Sequence, residues 1–193
     1  MTATDVLRTP EDDYKELRAL TSLIKNKDIR EFTEHMLDKE VPDYFKHVPA
    51  SSSGKYHPPY ALGDGGLVRH TIAAVKMVVH LCSLEYVHID SNTRDKMISA
   101  TILHDSFKQG LKGVSGHTVK DHAKVASDEI IRVSKERDLE TAGGHIARLV
   151  LTHMGEFGKN KPGNRIEFFI HLADYLASRK DILIDFNVPT TVR

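Results

Sequence analysis

Thr101-Ile102-Leu103-His104-Asp105, with Lys108 three residues further on, closes an apolar helical run with an imidazole and a carboxylate side by side. Both groups ligate hard or borderline divalent cations, and a carboxylate can bridge two of them. The pair alone is weak evidence, because it arises by chance and a histidine at a helix end often serves only as a cap. Its company decides the reading. His70, His122, His153 and Asp174 each occur once per predicted helix, on the side of that helix that carries its apolar residues. Helical spacing at every one of these anchors sets the fold class as all-α.

Working outward, the run ends a helix from about Thr93 to His104, with Met97, Ala100 and Thr101 inward. Upstream, a helix from about Leu67 to Val87 carries a stripe of Leu67, Thr71, Ala74, Met77, Val78 and Leu81, and His70 shares that face. Downstream, Gly110 and Gly113 to Gly116 make a flexible connection to a helix from about Thr118 to Glu136, where Val119, His122, Ala123, Ala126 and Ile130 align. The next helix starts near Thr141 or His145 and runs to His153, with Ile146, Leu149 and Val150 on its inner side. Pro162-Gly163-Asn164 then forms a turn and helix start. The last helix, about Arg165 to Ser178, is apolar nearly all round and is expected to be the central, buried helix of a bundle. Glu167, Ile170, His171, Asp174 and Ser178 form one strip of it, and a carboxylate buried there must be paired or metal-bound.

At the N-terminus, residues up to about Thr9 are expected to be frayed. Pro10-Glu11-Asp12-Asp13 reads as a helix start with acidic residues favoured by the helix dipole. Tyr14, Leu17, Leu20 or Thr21, and Ile24 follow at helical spacing. A second helix from about Asp28 to Lys39 turns Ile29, Phe32, Met36 and Leu37 inward, and Pro42 and Pro49 end it. Residues 1–49 thus form a helical extension packed on a core domain of residues 50–185, with an irregular tail at 186–193.

At 193 residues the chain is long enough to bury a real core. Lys+Arg and Asp+Glu are equal at 27 each, so no net field recruits polyanions or a membrane. The single cysteine, Cys82, excludes an internal disulfide, fits a reducing compartment and reads as a small core residue. With no membrane-length apolar run and a polar, acidic N-terminus, the expected location is the cytoplasm. Twelve histidines are the unusual number. The one long aperiodic stretch runs from Ala50 to Gly66 and holds Ser53-Gly54-Lys55-Tyr56-His57. It is either a surface loop or a phosphate cradle in which hydroxyls, backbone N–H groups and Lys55 meet charge while Tyr56 and His57 stack on a base or sugar.

The order His70, His104-Asp105, His122, His153, Asp174 resembles the H…HD…H…H…D pattern of the HD-domain metal-dependent phosphohydrolases, over roughly residues 54–181. Gly65-Gly66-Leu67-Val68-Arg69-His70-Thr71 is similar to that superfamily's first-ligand helix start, and His104-Asp105-Ser106-Phe107-Lys108 to its HD-x-x-K element. Asp121-His122-Ala123 resembles the third element, and His171-Leu172-Ala173-Asp174 the last. The resemblance implies that His70, His104, Asp105 and Asp174 hold one divalent metal. It implies that His122 and His153 complete a second site bridged by Asp105, with contact to substrate phosphate as their alternative role. The ion would be Mn, Co, Fe, Zn, Mg or Ni. Asp105 and Lys108 would be catalytic, and Ser53, Lys55, Tyr56, His57, Lys108 and Arg179 would bind substrate.

Thr152-His153-Met154-Gly155-Glu156, Lys161-Pro162 and Glu167 also resemble the HD domain of bacterial 3′-to-5′ exoribonucleases, although nothing matches that family's OB-type module. The neutral charge argues against processive RNA binding and for a small nucleotide or a short oligonucleotide. The activity implied is hydrolysis of a phosphoester or phosphoanhydride by metal-activated water. A di-iron HD-type oxygenase and a non-catalytic nucleotide-binding protein are the alternatives, and a homo-oligomer is compatible with either.

Overall fold

Capping residues decide where the helices begin. The computed structural model describes residues 8–51, 53–113 and 116–191. The expected fraying before Thr9 therefore falls, at residues 1–7, outside the described residues, as do residue 52 of the long loop, 114–115 of the glycine-rich connection and the last two of the tail. Among the described residues seven α-helices and several shorter helical turns occur, and no strand. α1 (Pro10–Ala19) opens on a capping box in which the Thr9 hydroxyl accepts from the Asp12 N–H while the Asp12 carboxylate accepts from the Thr9 N–H. Asn26 caps α2 (Lys27–His35), which widens into a π turn at Met36–Glu40. α3 (Gly66–Cys82) follows the long loop, and α4 (Ser91–Leu103) is capped by Asp90. α5 (His122–Glu136) and α6 (Glu140–Thr152) form an antiparallel pair. α7 (Arg165–Ala177) is capped by Asn164, whose side-chain oxygen accepts from the N–H groups of Ile166 and Glu167 at 2.9 and 3.0 Å.

The central helix is α3, not α7. Leu67, Val68, Ile72, Ala73, Ala74, Val75 and Val78 of α3 are all fully buried, covering every side of the cylinder. α7 buries only one strip, Glu167, Ile170, His171, Ala173 and Ala177, and leaves Phe168 half exposed. Its apolar residues off that strip meet partial cover only.

Leu17, Ile24, Ile29, Phe32, Met36, Leu37 and Phe45 join the same buried cluster as the residues of α3, α4, α5 and α6. Asp13, fully buried, ties the start of α1 to α3 through Arg69 Nη1 at 2.6 Å and to Arg8 at 2.8 Å. Arg69 also donates to the carbonyls of Tyr60, Leu62 and Asp64, so one guanidinium fastens the end of the long loop directly beside His70. Gly66 lets this loop close on the helix start: a Cβ there would sit 2.5 Å from the Ala61 carbonyl oxygen. Phe186 of the tail packs its ring on Tyr60 at 5.1 Å. No helix among the described residues is long and apolar enough to cross a membrane.

Candidate metal centre

Five helices or helix ends deliver the anchors to one point. His70 comes from the second turn of α3, His104 caps the C-terminus of α4 and Asp105 follows it. His122 opens α5, His153 caps α6, and Asp174 lies in the last turn of α7. Three sets of ligand atoms each gather within 4.8 Å: His70, His104 and Asp105; His104, His153 and Asp174; Asp105, His122 and His153. All are buried except Asp174, whose side chain is 18% exposed, and the neighbouring Lys108 side chain is 14% exposed.

The histidines are oriented by a repeated device. His104 Nδ1 donates to the Thr101 carbonyl at 2.7 Å, His122 Nδ1 to Val119 at 3.0 Å and His153 Nδ1 to Val150 at 2.7 Å. Each acceptor lies three residues earlier, and a carbonyl oxygen can only accept, so Nδ1 carries the hydrogen. In the neutral ring this leaves a lone pair on every Nε2, aimed at the cluster. His122 Nε2 and His153 Nε2 then face each other at 3.4 Å, and His104 Nε2 faces His70 Nε2 at the same distance. Because both Nδ1 atoms of the His122–His153 pair donate to carbonyls, the facing Nε2 lone pairs of these two rings repel unless a cation stands between them.

Asp105 divides the cluster in two. Its Oδ2 lies 3.6 Å from His104 Nε2 and 3.9 Å from His70 Nε2, and accepts from Lys108 Nζ at 2.6 Å. Its Oδ1 turns the other way, 3.2 Å from His122 Nε2 and 3.6 Å from His153 Nε2. Buried, this oxygen receives no hydrogen bond, as does His70 Nδ1. Asp174 Oδ1 completes the first half, 3.0 Å from His70 Nε2 and 3.6 Å from His104 Nε2. Four imidazoles and two carboxylates, one of them with an orphaned oxygen, are a donor set that fits one or two divalent ions, with no thiolate among them. The predicted ligands His70, His104, Asp105, His122, His153 and Asp174 are thus all brought together.

Electrostatics agree with that fit. Burial disfavours charge on Asp105, but Lys108 and His104 outweigh it and hold the carboxyl well below the usual range. Asp174 behaves likewise, with His104 and His70 overcoming its burial. For His104 burial is outweighed by Asp105 and Asp174, and the ring is raised. For His153 burial prevails and lowers it.

The predicted substrate contacts divide. Lys108 stands at the mouth on Asp105. His57 comes close to the histidine–aspartate cluster itself, its ring 5.9 Å from that of His70, and burial with the nearby charges of His70 and Lys108 pushes it down to about 4. The Arg179 guanidinium lies over the rings of Tyr56 (5.7 Å) and Tyr175 (4.6 Å), and Lys55 Nζ lies 5.0 Å from the centre of the Tyr56 ring. Tyr175 belongs to this group and had no signal of its own in the sequence beyond its place after Asp174. Ser53 makes its hydrogen bonds locally, with Ser51 Oγ and the Lys55 N–H. Cys82 packs its sulfur 3.9 Å from Met97 Sδ, and burial pushes its thiol up to about 11, as suits a packing residue. A groove of about 670 Å³ between the C-terminal half of α3 and residues 183–191 shares no lining residue with the cluster. Comparison with protein-family models, with curated proteins and with solved structures finds no match to this chain.

Proposed function

We propose that the chain is a metal-dependent phosphohydrolase of the HD type, cleaving a phosphoester or phosphoanhydride bond of a nucleotide or short oligonucleotide. The observation that carries this reading is Asp105, whose two oxygens face separate histidine pairs, His70 with His104 and His122 with His153. A bound divalent ion supplies a water acidic enough to ionise near neutral pH and offsets charge on phosphoryl oxygens. His70, His104, Asp174 and Asp105 Oδ2 would hold one ion, and His122, His153 and Asp105 Oδ1 a second.

The remaining roles belong to side chains at the opening. Lys108, 2.6 Å from Asp105, meets phosphate charge beside the ions. Tyr56, Tyr175 and Arg179 offer ring faces and a guanidinium on the side of Asp174, suited to a base or sugar. Lys55 adds a cation at the exposed edge of the same group. The buried histidine cage excludes bulk water from the reacting centre.

The test is incubation of purified protein with manganese or cobalt and a panel of nucleotides and short oligonucleotides, followed by assays for released phosphate and for shortened or hydrolysed products. Metal-dependent product is the expected result. Iron-dependent oxygen uptake without phosphate-bond cleavage replaces the reading with an oxygenase, and tight nucleotide binding without turnover under every metal replaces it with a sensor.

A further inference from the structure

We propose that His171, oriented by Glu156, is a positioning residue for the second metal subsite: it tethers the chain at His153 to the helix that supplies Asp174. The proposal rests on the two-subsite reading above. His171 is buried on α7 one turn before Asp174. Its Nδ1 donates to the backbone carbonyl of His153 at 2.9 Å, and its Nε2 lies 2.8 Å from Glu156 Oε2. Neither residue belongs to the ligand sets, so both act through His153.

The carbonyl in question is at the C-cap of α6, where the helix leaves its last carbonyls without intrahelical partners. The His171 N–H satisfies it and fixes the backbone from which the His153 ring springs. Gly155 makes the contact sterically feasible. It adopts a left-handed φ of 55°, and a Cβ on it would come 2.2 Å from His171 Cε1. The imidazole is thereby wedged into the turn that leaves α6. Phe168 and Tyr175 flank it, their ring centres each 6.1 Å away. Glu156 reaches it from the solvent side, 60% exposed.

The consequence is a fixed separation between the two halves of the cluster. His153 belongs to the second subsite and Asp174 to the first, and His171 joins the backbone of one to the helix of the other. Asp105 alone would bridge the ions but would not hold His153 in register with α7.

The experiment is calorimetric titration of metal-free protein with Mn²⁺, repeated with Co²⁺ while its visible absorption is recorded at each equivalent. Wild type is compared with His171→Leu, His171→Asn and the surface variant Glu156→Ala. His171→Leu is expected to weaken the second equivalent by roughly tenfold and to alter its cobalt spectrum, with the first equivalent unchanged. His171→Asn keeps a side-chain N–H near the Nδ1 position and should recover most of that loss. Glu156→Ala should weaken the second equivalent by about threefold, the lesser effect of a more distant partner, without lowering the melting temperature. Equal weakening of both equivalents in His171→Leu, or an unaltered second equivalent in it, overturns the proposal while two subsites remain. Should His171→Leu not fold, an unaltered second equivalent in Glu156→Ala overturns it instead. A wild type that binds no second ion overturns both this proposal and the two-subsite reading.

Discussion

Asp105, beside Lys108 and His104, and Asp174, beside His104 and His70, are both held below the usual carboxylate range, yet their geometry gives them different consequences. Among the described residues Asp174 Oδ1 lies within 4.0 Å of His70 and His104, whereas Asp105 faces those two with one oxygen and His122 and His153 with the other. Asp174→Asn should therefore lose about one metal equivalent, and Asp105→Asn should lose both, by at least roughly tenfold in affinity each. Elemental analysis of dialysed protein, with circular dichroism to verify retained helicity, separates the two. Equal losses in both variants would contradict the division of the cluster. These ligands were legible in the sequence because each sits on the apolar side of a separate periodic segment. The i−3 carbonyl acceptors of His104, His122 and His153 were also there to be read, as the last turn before each ring, but nothing local says which carbonyls lack a helical partner. Tyr175 and His171 escaped for another reason. Their partners, Arg179 stacked with Tyr56 and His153 with Glu156, are set by tertiary approach of α7 to a loop and to a helix end. Periodicity along one segment carries no trace of that.

Helix ends were less legible than helix existence. The apolar spacing after Cys82 suggested that α3 continues to Val87, but Leu84 and Tyr86 are exposed and the chain turns there, with Val87 N–H bonding back to Leu84. At 42% and 88% exposed, Leu84 and Tyr86 reach no core, so the pattern does not extend the helix. α5 begins at His122 and not near Thr118, because the Val119 backbone is engaged elsewhere. Its N–H donates to the Lys108 carbonyl at 2.8 Å and its carbonyl accepts from His122 Nδ1. The site has taken the residues that would have formed the first turn. The expectation of a central α7 fails by the same logic: apolarity all round marks partial contact on several sides as readily as full burial. What anchors α7 is its start, where Asn164 caps the helix and also donates to Glu167, and Glu167 pairs with Arg148 at 3.0 Å. Asn164→Ala should lower stability by about 1 kcal/mol. That corresponds to a melting temperature lower by roughly 2–4 °C in a chain of this size. Metal content should be unchanged, since Asp174 lies in the last turn and is held by packing. Calorimetric melts with parallel elemental analysis check both halves, and a loss of metal alongside stability would mean that the helix start governs the site.

At the scale of the whole molecule, the cluster is an unusual thing to bury. His70, His104, Asp105, His122 and His153 are almost wholly shielded from solvent, in contact with a core that runs through α3, α4, α5 and α6. Without a cation, the fold carries the desolvation of two carboxylates, relieved in part where Lys108 pairs with Asp105, and the repulsion of the facing Nε2 lone pairs of His122 and His153. A divalent ion that binds the folded chain and not the unfolded one removes that burden and adds its own binding free energy. At a free concentration one hundred times the dissociation constant the gain is about 2.7 kcal/mol for a single site. Scaled to a chain of this length, the melting temperature should rise by roughly 5–10 °C on adding Mn²⁺ or Co²⁺ to metal-free protein, and fall back on chelation. The same ion concentration should raise the melting temperature of Asp105→Asn by about half as much or less, because for a site weakened at least tenfold it is only about ten times the dissociation constant or lower. Because the cluster's residues come from helices distributed over more than half of the chain, a bound ion would act as a cross-link between α3, α4, α5, α6 and α7, and the whole transition should then shift as one. Scanning calorimetry in chelator and in each metal reads this directly. A melting temperature indifferent to every divalent ion would mean that the folded chain stabilises its buried histidines by protonation alone, and that the cluster is a structural core of charge with no ion to hold.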